Sequence, residues 1–144
     1  MNRGIQIMSD ASKDKNYSAL NLEPFNPDFV LTVLVDIVNL KSVNQFPITL
    51  NVQGLLITGT MINGLEWIKK FESFLGDRSI TSFSDALATF YDGSHAGRAG
   101  FIHLKDAHVF TAGGLIPSPD SLTPSLWRCR LEEVSSWMYG EFRA

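Results

Sequence analysis

The sequence predicts an α+β domain: a small antiparallel sheet with an N-terminal helix and two helices inserted between strands. Three patterns carry that reading. Ile48, Leu50 and Val52 alternate with Thr49 and Asn51, the period of a half-buried strand. Gln53-Gly54 interrupts this run, and a second run follows from Leu55 to Ile62. Residues 29–40 and 65–75 instead follow helical periods in their polar and apolar positions. A chain of 144 residues is expected to hold a single domain, over 23–144, behind a polar tail of mixed charge, Met1–Leu22.

The elements follow in order. Asn26-Pro27-Asp28 has the residues of a helix start, with Asn as cap, Pro at the first position and Asp beside the positive end of the dipole. The helix that follows, Asp28–Leu40, is apolar from Phe29 onward except at Thr32, Asp36 and Asn39. These three share one stripe and leave a wide face to bury. Lys41–Phe46 is a link. Pro47–Gln53 and Leu55–Ile62 form a hairpin that sets Val52 against Leu55, Leu50 against Ile57 and Ile48 against Gly59. Ile48, Leu50, Val52, Leu55, Ile57 and Met61 then line one face, and Thr49, Asn51, Thr58 and Thr60 the other. Gln at the first turn position is unusual for a type I′ turn.

Asn63-Gly64-Leu65-Glu66 resembles a capping box, and Glu66 can pair with Lys70 one turn on. The helix carries Leu65, Ile68, Phe71, Phe74 and Leu75 at helical spacing and stops at Gly76. A second inserted helix is expected to open at Ser79–Ser82, carry Phe83, Ala86, Leu87 and Phe90 on one face, and end at Gly93. Gly93–Gly100 is a glycine-rich loop. Phe101–Thr111 returns to strand, with a turn or bulge at Lys105-Asp106-Ala107, and Ala112–Ser125 is a loop rich in glycine and proline. Leu126–Val134 alternates as a strand, Ser135-Ser136 makes a kink, and Trp137–Phe142 forms a last strand.

Composition excludes several classes. The formal net charge of −3 disfavours a nucleic-acid binder, which normally carries a basic patch, and disfavours docking on anionic lipid. A single cysteine, Cys129, precludes an internal disulfide and fits a reducing compartment. No apolar run approaches the ~20 residues of a membrane span, and residues 1–20 lack the apolar core of a secretory signal. The expected location is the cytoplasm.

No catalytic, cofactor-binding or metal-binding residues stand out. His95, His103 and His108 lack the spacing of a zinc site. Cys129 shares a strand face with Trp127 and Leu131, the setting of a packed thiol rather than a nucleophile. Glu132 and Glu133 are adjacent on a strand and face opposite ways. The glycine-rich 93–100 follows a helix instead of opening one, so it is no phosphate loop. What remains is a cluster of residue types enriched at protein interfaces: Arg128, Arg130, Trp137 and Tyr139. Against that stands aromatic packing within the sheet, which would make Trp137 and Tyr139 core.

Ile48–Ile62, Leu65–Phe71, Phe101–Phe110 and Leu126–Phe142, in that order, resemble the gas vesicle accessory protein U family, GvpU. Gly-Leu-Leu-Ile-Thr-Gly (54–59), Phe-Ile-His-Leu-Lys-Asp-Ala (101–107) and Trp-Arg-Cys-Arg-Leu-Glu-Glu-Val (127–134) carry the likeness. Cys129 stands where the family pattern has glycine, and Ser135-Ser136 where it has Asp-Gly. The resemblance implies a cytoplasmic, non-enzymatic accessory protein that binds gas vesicle shell or other assembly proteins. The edge strands and interface-type residues of 126–142 add a homo-oligomer as a further expectation. The resemblance also implies a small Sm/SH3-like barrel as the form of the sheet. The alternatives are an RNA-binding Sm-like barrel, which the acidic balance disfavours, and a small enzyme without a recognisable motif.

Overall fold

The computed structural model describes residues 28–40, 44–76, 85, 100–122 and 124–142. The tail Met1–Leu22, the Asn26-Pro27 helix start, nearly all of the second inserted helix and the loop Gly93–Ala99 lie outside the described residues. Within them the fold is α+β: six antiparallel strands and two helices. In chain order these are α1 (Phe29–Leu40), β1 (Phe46–Val52), β2 (Leu55–Met61), α2 (Gly64–Leu75), β3 (Phe101–Thr111), β4 (Gly114–Ile116), β5 (Trp127–Arg130) and β6 (Val134–Tyr139). The sheet runs β4-β3-β2-β1-β6, and β5 pairs with the opening residues of β3.

The β1–β2 hairpin has the register that alternation predicts: Val52 faces Leu55, Leu50 faces Ile57 and Ile48 faces Gly59. Gln53 and Gly54 both have positive φ, 52° and 87°, the combination of a type I′ turn. The Asn51 side chain offsets the awkward Gln by accepting a hydrogen bond from the Gly54 amide at 2.9 Å. Ile48, Leu50, Ile57 and Met61 are buried, while Leu55, beside the turn, is exposed. Thr49 and Thr58 are buried as well, against the expectation of a solvent face. After β6, Gly140 at φ 108° turns the chain across them. Thr49 donates to the Gly140 carbonyl at 2.8 Å, Thr58 accepts from the Phe142 amide at 2.9 Å, and Phe142 meets the Phe110 ring.

Gly59 and the β3 bulge are one feature. Thr58 pairs with His108 but Thr60 pairs with Lys105, so β3 carries one extra residue there, with Asp106 at φ 50°. A Cβ on Gly59 would lie 3.0 Å from the Lys105 carbonyl oxygen and 3.1 Å from Ala107 Cα. The bulge is tied from the far side by Ser125, whose carbonyl accepts from the Ala107 amide and whose hydroxyl donates to the Ala107 carbonyl.

Helix α1 packs Leu31, Val35 and Val38 onto Ile48, Leu50, Ile57, Met61, Ile102 and Leu104. Asp28 is its cap, accepting from the Leu31 amide at 3.0 Å. The burial phase differs from the expected one. The polar stripe does not face solvent; Thr32 donates to the Asp28 carbonyl, and Asn39 is joined to the next helix. The outward face is Phe29, Val30, Val33, Ile37 and Leu40, each between 37% and 57% exposed.

Asn63 caps α2 through bonds from the Leu65 and Glu66 amides. Its amide nitrogen donates to the Asn39 carbonyl at 2.7 Å, and the Asn39 side chain accepts from the Gly64 amide at 3.0 Å. Glu66 turns to Gln45 instead of Lys70, so the expected ion pair is not formed. Gly76 closes the helix at φ 55°.

Three expectations toward the C-terminus are corrected. Leu126–Val134 is not one strand. Pairing stops at Arg130, and Leu131–Glu133 form a single 3₁₀ turn because the buried Leu131 must leave the β5 line and enter the core. The last strand starts at Val134 and ends at Tyr139; Ser135 is the extra residue of a small bulge within it, bonded to the Asn51 carbonyl. The 112–125 loop contains the short strand β4, paired with Val109–Thr111.

Gly59→Ala is expected to lower unfolding free energy by about 1–3 kcal/mol, since neither neighbour is a movable side-chain end. Chemical denaturation measures it. An unchanged midpoint would show that the bulge does not press on this position.

Candidate protein-binding surface

Arg128, Arg130, Trp137 and Tyr139 come from two strands that pair in different places. Arg128 and Arg130 alternate outward on β5 against β3; Trp137 and Tyr139 lie on β6, opposite Leu50 and Ile48 of β1. The single 3₁₀ turn joins the two pairs along the chain, and they form no one cluster across a shared strand pair.

Each side chain has a distinct environment. The Arg128 guanidinium lies 3.8 Å from the centre of the Phe101 ring, and its Nε donates to His103 Nε2 at 3.0 Å. Arg130 pairs with Glu132 at 3.3 Å, both side chains well exposed, so that contact adds little stability. Trp137 is half-buried against the core, and its indole N–H donates to Asp28 Oδ2 at 2.7 Å. Tyr139 is 72% exposed, and its neighbour Met138 is 53% exposed. Arg128 and Trp137 are thus engaged by the fold through their polar atoms, whereas Tyr139 offers its ring to solvent. Among the described residues β6 is the last strand of the sheet path and is paired along one side only, to β1. End strands with exposed apolar side chains are natural contact points for another chain.

Other chemistry-bearing groups among the described residues are engaged by the fold. His103 is buried on β3, stacks at a tilt on Trp67 at 5.5 Å and accepts from Arg128. Accepting at Nε2 requires the neutral ring. Burial first, and the Arg128 charge second, push its pKa from the ordinary 6.5 down to about 3. His108 bonds the Pro117 carbonyl through Nδ1. Cys129 is half-buried beside Trp127, and burial, reinforced by Glu133, raises its thiol pKa to about 11, the opposite of an activated nucleophile. Glu133 accepts from Gln53. Among the described residues no three His, Cys, Asp or Glu side chains gather as metal ligands.

The outward apolar face of α1 was not anticipated by the sequence reading. The available signal was composition: α1 is apolar at every position but three, more than one buried face requires. The strap at 140–142 had no comparable signal.

The neutral His103 has a measurable consequence. Between pH 6.5 and about 3 the unfolded chain binds a proton there that the fold refuses, so stability falls as pH falls through that window. From pH 7 to pH 5 the wild-type chain should lose about 2 kcal/mol more than a His103→Gln variant, by denaturant titration at each pH. Parallel profiles would mean that the folded imidazole takes up a proton.

The comparisons with known proteins bear on the whole described region. A family model described as gas vesicle protein GvpU-like matches residues 28–142. No curated protein and no solved structure matches the chain. No helix among the described residues is long and apolar enough to cross a membrane. The match begins at Asp28, the cap of α1, and ends at Phe142, the last residue of the strap, so it takes in α1 as well as the hairpin and the three sequence motifs. The chain belongs to the GvpU-like family of gas vesicle proteins.

Proposed function

We propose that this chain is a non-enzymatic, cytoplasmic accessory protein that binds gas vesicle shell or other assembly proteins during vesicle formation or organisation. Family membership supports the vesicle setting. The observation that carries the binding role is β6, an end strand with Tyr139 and Met138 turned to solvent. In this reading Arg130 and Tyr139 touch the partner. Arg128 and Trp137 support that contact by holding β5 and β6 in place, Arg128 through Phe101 and His103 and Trp137 through Asp28.

We further propose that the sheet is a Sm/SH3-like barrel, left open between β5 and β6 so that β6 keeps its free edge. In support, the strand path can be read β5-β3-β2-β1-β6, and its first and last strands are consecutive in sequence, joined by one 3₁₀ turn. The barrel form carries no function by itself.

Immobilised full-length chain tests the binding role against isolated gas vesicle proteins. Arg130→Ala with Tyr139→Ala should lower capture by about tenfold or more, with an unchanged melting temperature because both side chains are exposed. Full capture by a folded Arg128→Ala, Arg130→Ala, Trp137→Ala, Tyr139→Ala variant would overturn the proposal. Concentration-dependent sedimentation that this variant abolishes would instead assign the surface to a second copy.

A further inference from the structure

We propose that the outward face of α1 is a second binding surface, separate from β6, and that its occupant is a basic amphipathic helix of a partner protein. Phe29, Val33, Ile37 and Leu40 follow spacings of four, four and three, with Val30 beside them, so their exposed side chains form one continuous stripe. The exposed apolar area is on the order of a few hundred Å², the size of the largest patch on a typical soluble monomer, which is often functional. A stable interface takes about 800 Å² from each partner, so the stripe falls short of what a globular partner needs. It suits one helix of about three turns laid along α1, gripping through positions i, i+4 and i+7 or i+8.

Charge decides which helix. Between residues 28 and 40 there is no basic side chain, and the acidic ones are Asp28 and Asp36. Asp28 is committed to the Leu31 amide and the Trp137 indole. Asp36 is not. It borders the stripe on the Thr32 side, next to Phe29 around the helix, and its Oδ1 is buried without a hydrogen-bond partner. With that oxygen unpaired, the carboxylate's charge is poorly offset within the fold, and a cation placed along that edge is attracted to it. A second copy of this chain is a poor occupant: α1 against α1 brings acidic edges together with no cation on either helix.

The test uses the full chain and a fluorescent leucine–lysine peptide of amphipathic helical pattern, with a leucine–glutamate peptide of the same pattern as control. The lysine peptide should bind saturably, and the glutamate peptide about tenfold more weakly or not at all. Ile37→Lys, and independently Val33→Ser, should each weaken binding by about tenfold. Asp36→Asn should weaken it less and flatten its salt dependence. Tyr139→Ala should leave it unchanged, which separates this surface from β6. No binding of the lysine peptide would overturn the proposal, as would binding that survives both stripe substitutions. A wild-type dimer in sedimentation that Ile37→Lys dissociates would also overturn it, by giving the face to a second copy.

Discussion

The rotation of α1 about its own axis is the constraint on which the rest depends. Two polar pins set it. At the start, Asp28 spends one carboxylate oxygen on the Leu31 amide and the other on the Trp137 indole, which ties the helix cap to the last strand. At the end, Asn39 accepts from the Asn63 side chain at its carbonyl and from the Gly64 amide at its side chain, which locks the last turn of α1 to the first of α2. Apolar burial alone does not choose a phase for a helix that is apolar nearly all round, since turning it changes the buried area little. The pins choose. With both satisfied, Leu31, Val35 and Val38 go into the sheet, and Phe29, Val33, Ile37 and Leu40 are left outside.

The same economy governs the sheet. The hairpin supplies an apolar face for α1 and a threonine face that the strap 140–142 covers, so Thr49 and Thr58 exchange water for backbone partners. Gly59 admits the β3 bulge, which shifts the register between Lys105 and His108. His103 and Arg128 link β3 to β5, and Trp67 of α2 stacks on the same imidazole. These buried polar groups serve one another, and the exposed apolar side chains include Tyr139 and Met138 at one place and the α1 stripe at another.

How much of this is legible in the sequence depends on how local its cause is. The β1–β2 register follows from alternation, because a one-residue slip would put every Leu and Ile on the wrong face. Asn63 and Gly76 announce the ends of α2 through capping chemistry. The bulge at 105–107 is visible as an interruption in a strand. The phase of α1 is not visible, because Thr32 and Asn39 look like solvent-facing residues until their partners, the Asp28 carbonyl and Gly64 amide, are known. The 3₁₀ turn at Leu131–Glu133 hides behind alternation that continues unbroken through it. For the interface residues, type alone grouped Arg128, Arg130, Trp137 and Tyr139. The fold separates the two whose polar atoms are engaged internally from the more open two, and that separation depends on partners as distant as Asp28.

The account therefore turns on which face of α1 meets solvent. Single cysteines placed one at a time along residues 29–40, in a Cys129→Ser background, would report it through their alkylation rates. The account predicts fast labelling at 30, 33, 37 and 40 and slow labelling at 31, 35 and 38. Fast labelling at 32, 36 and 39, with 33, 37 and 40 protected, would contradict it and restore the polar stripe as the outer face.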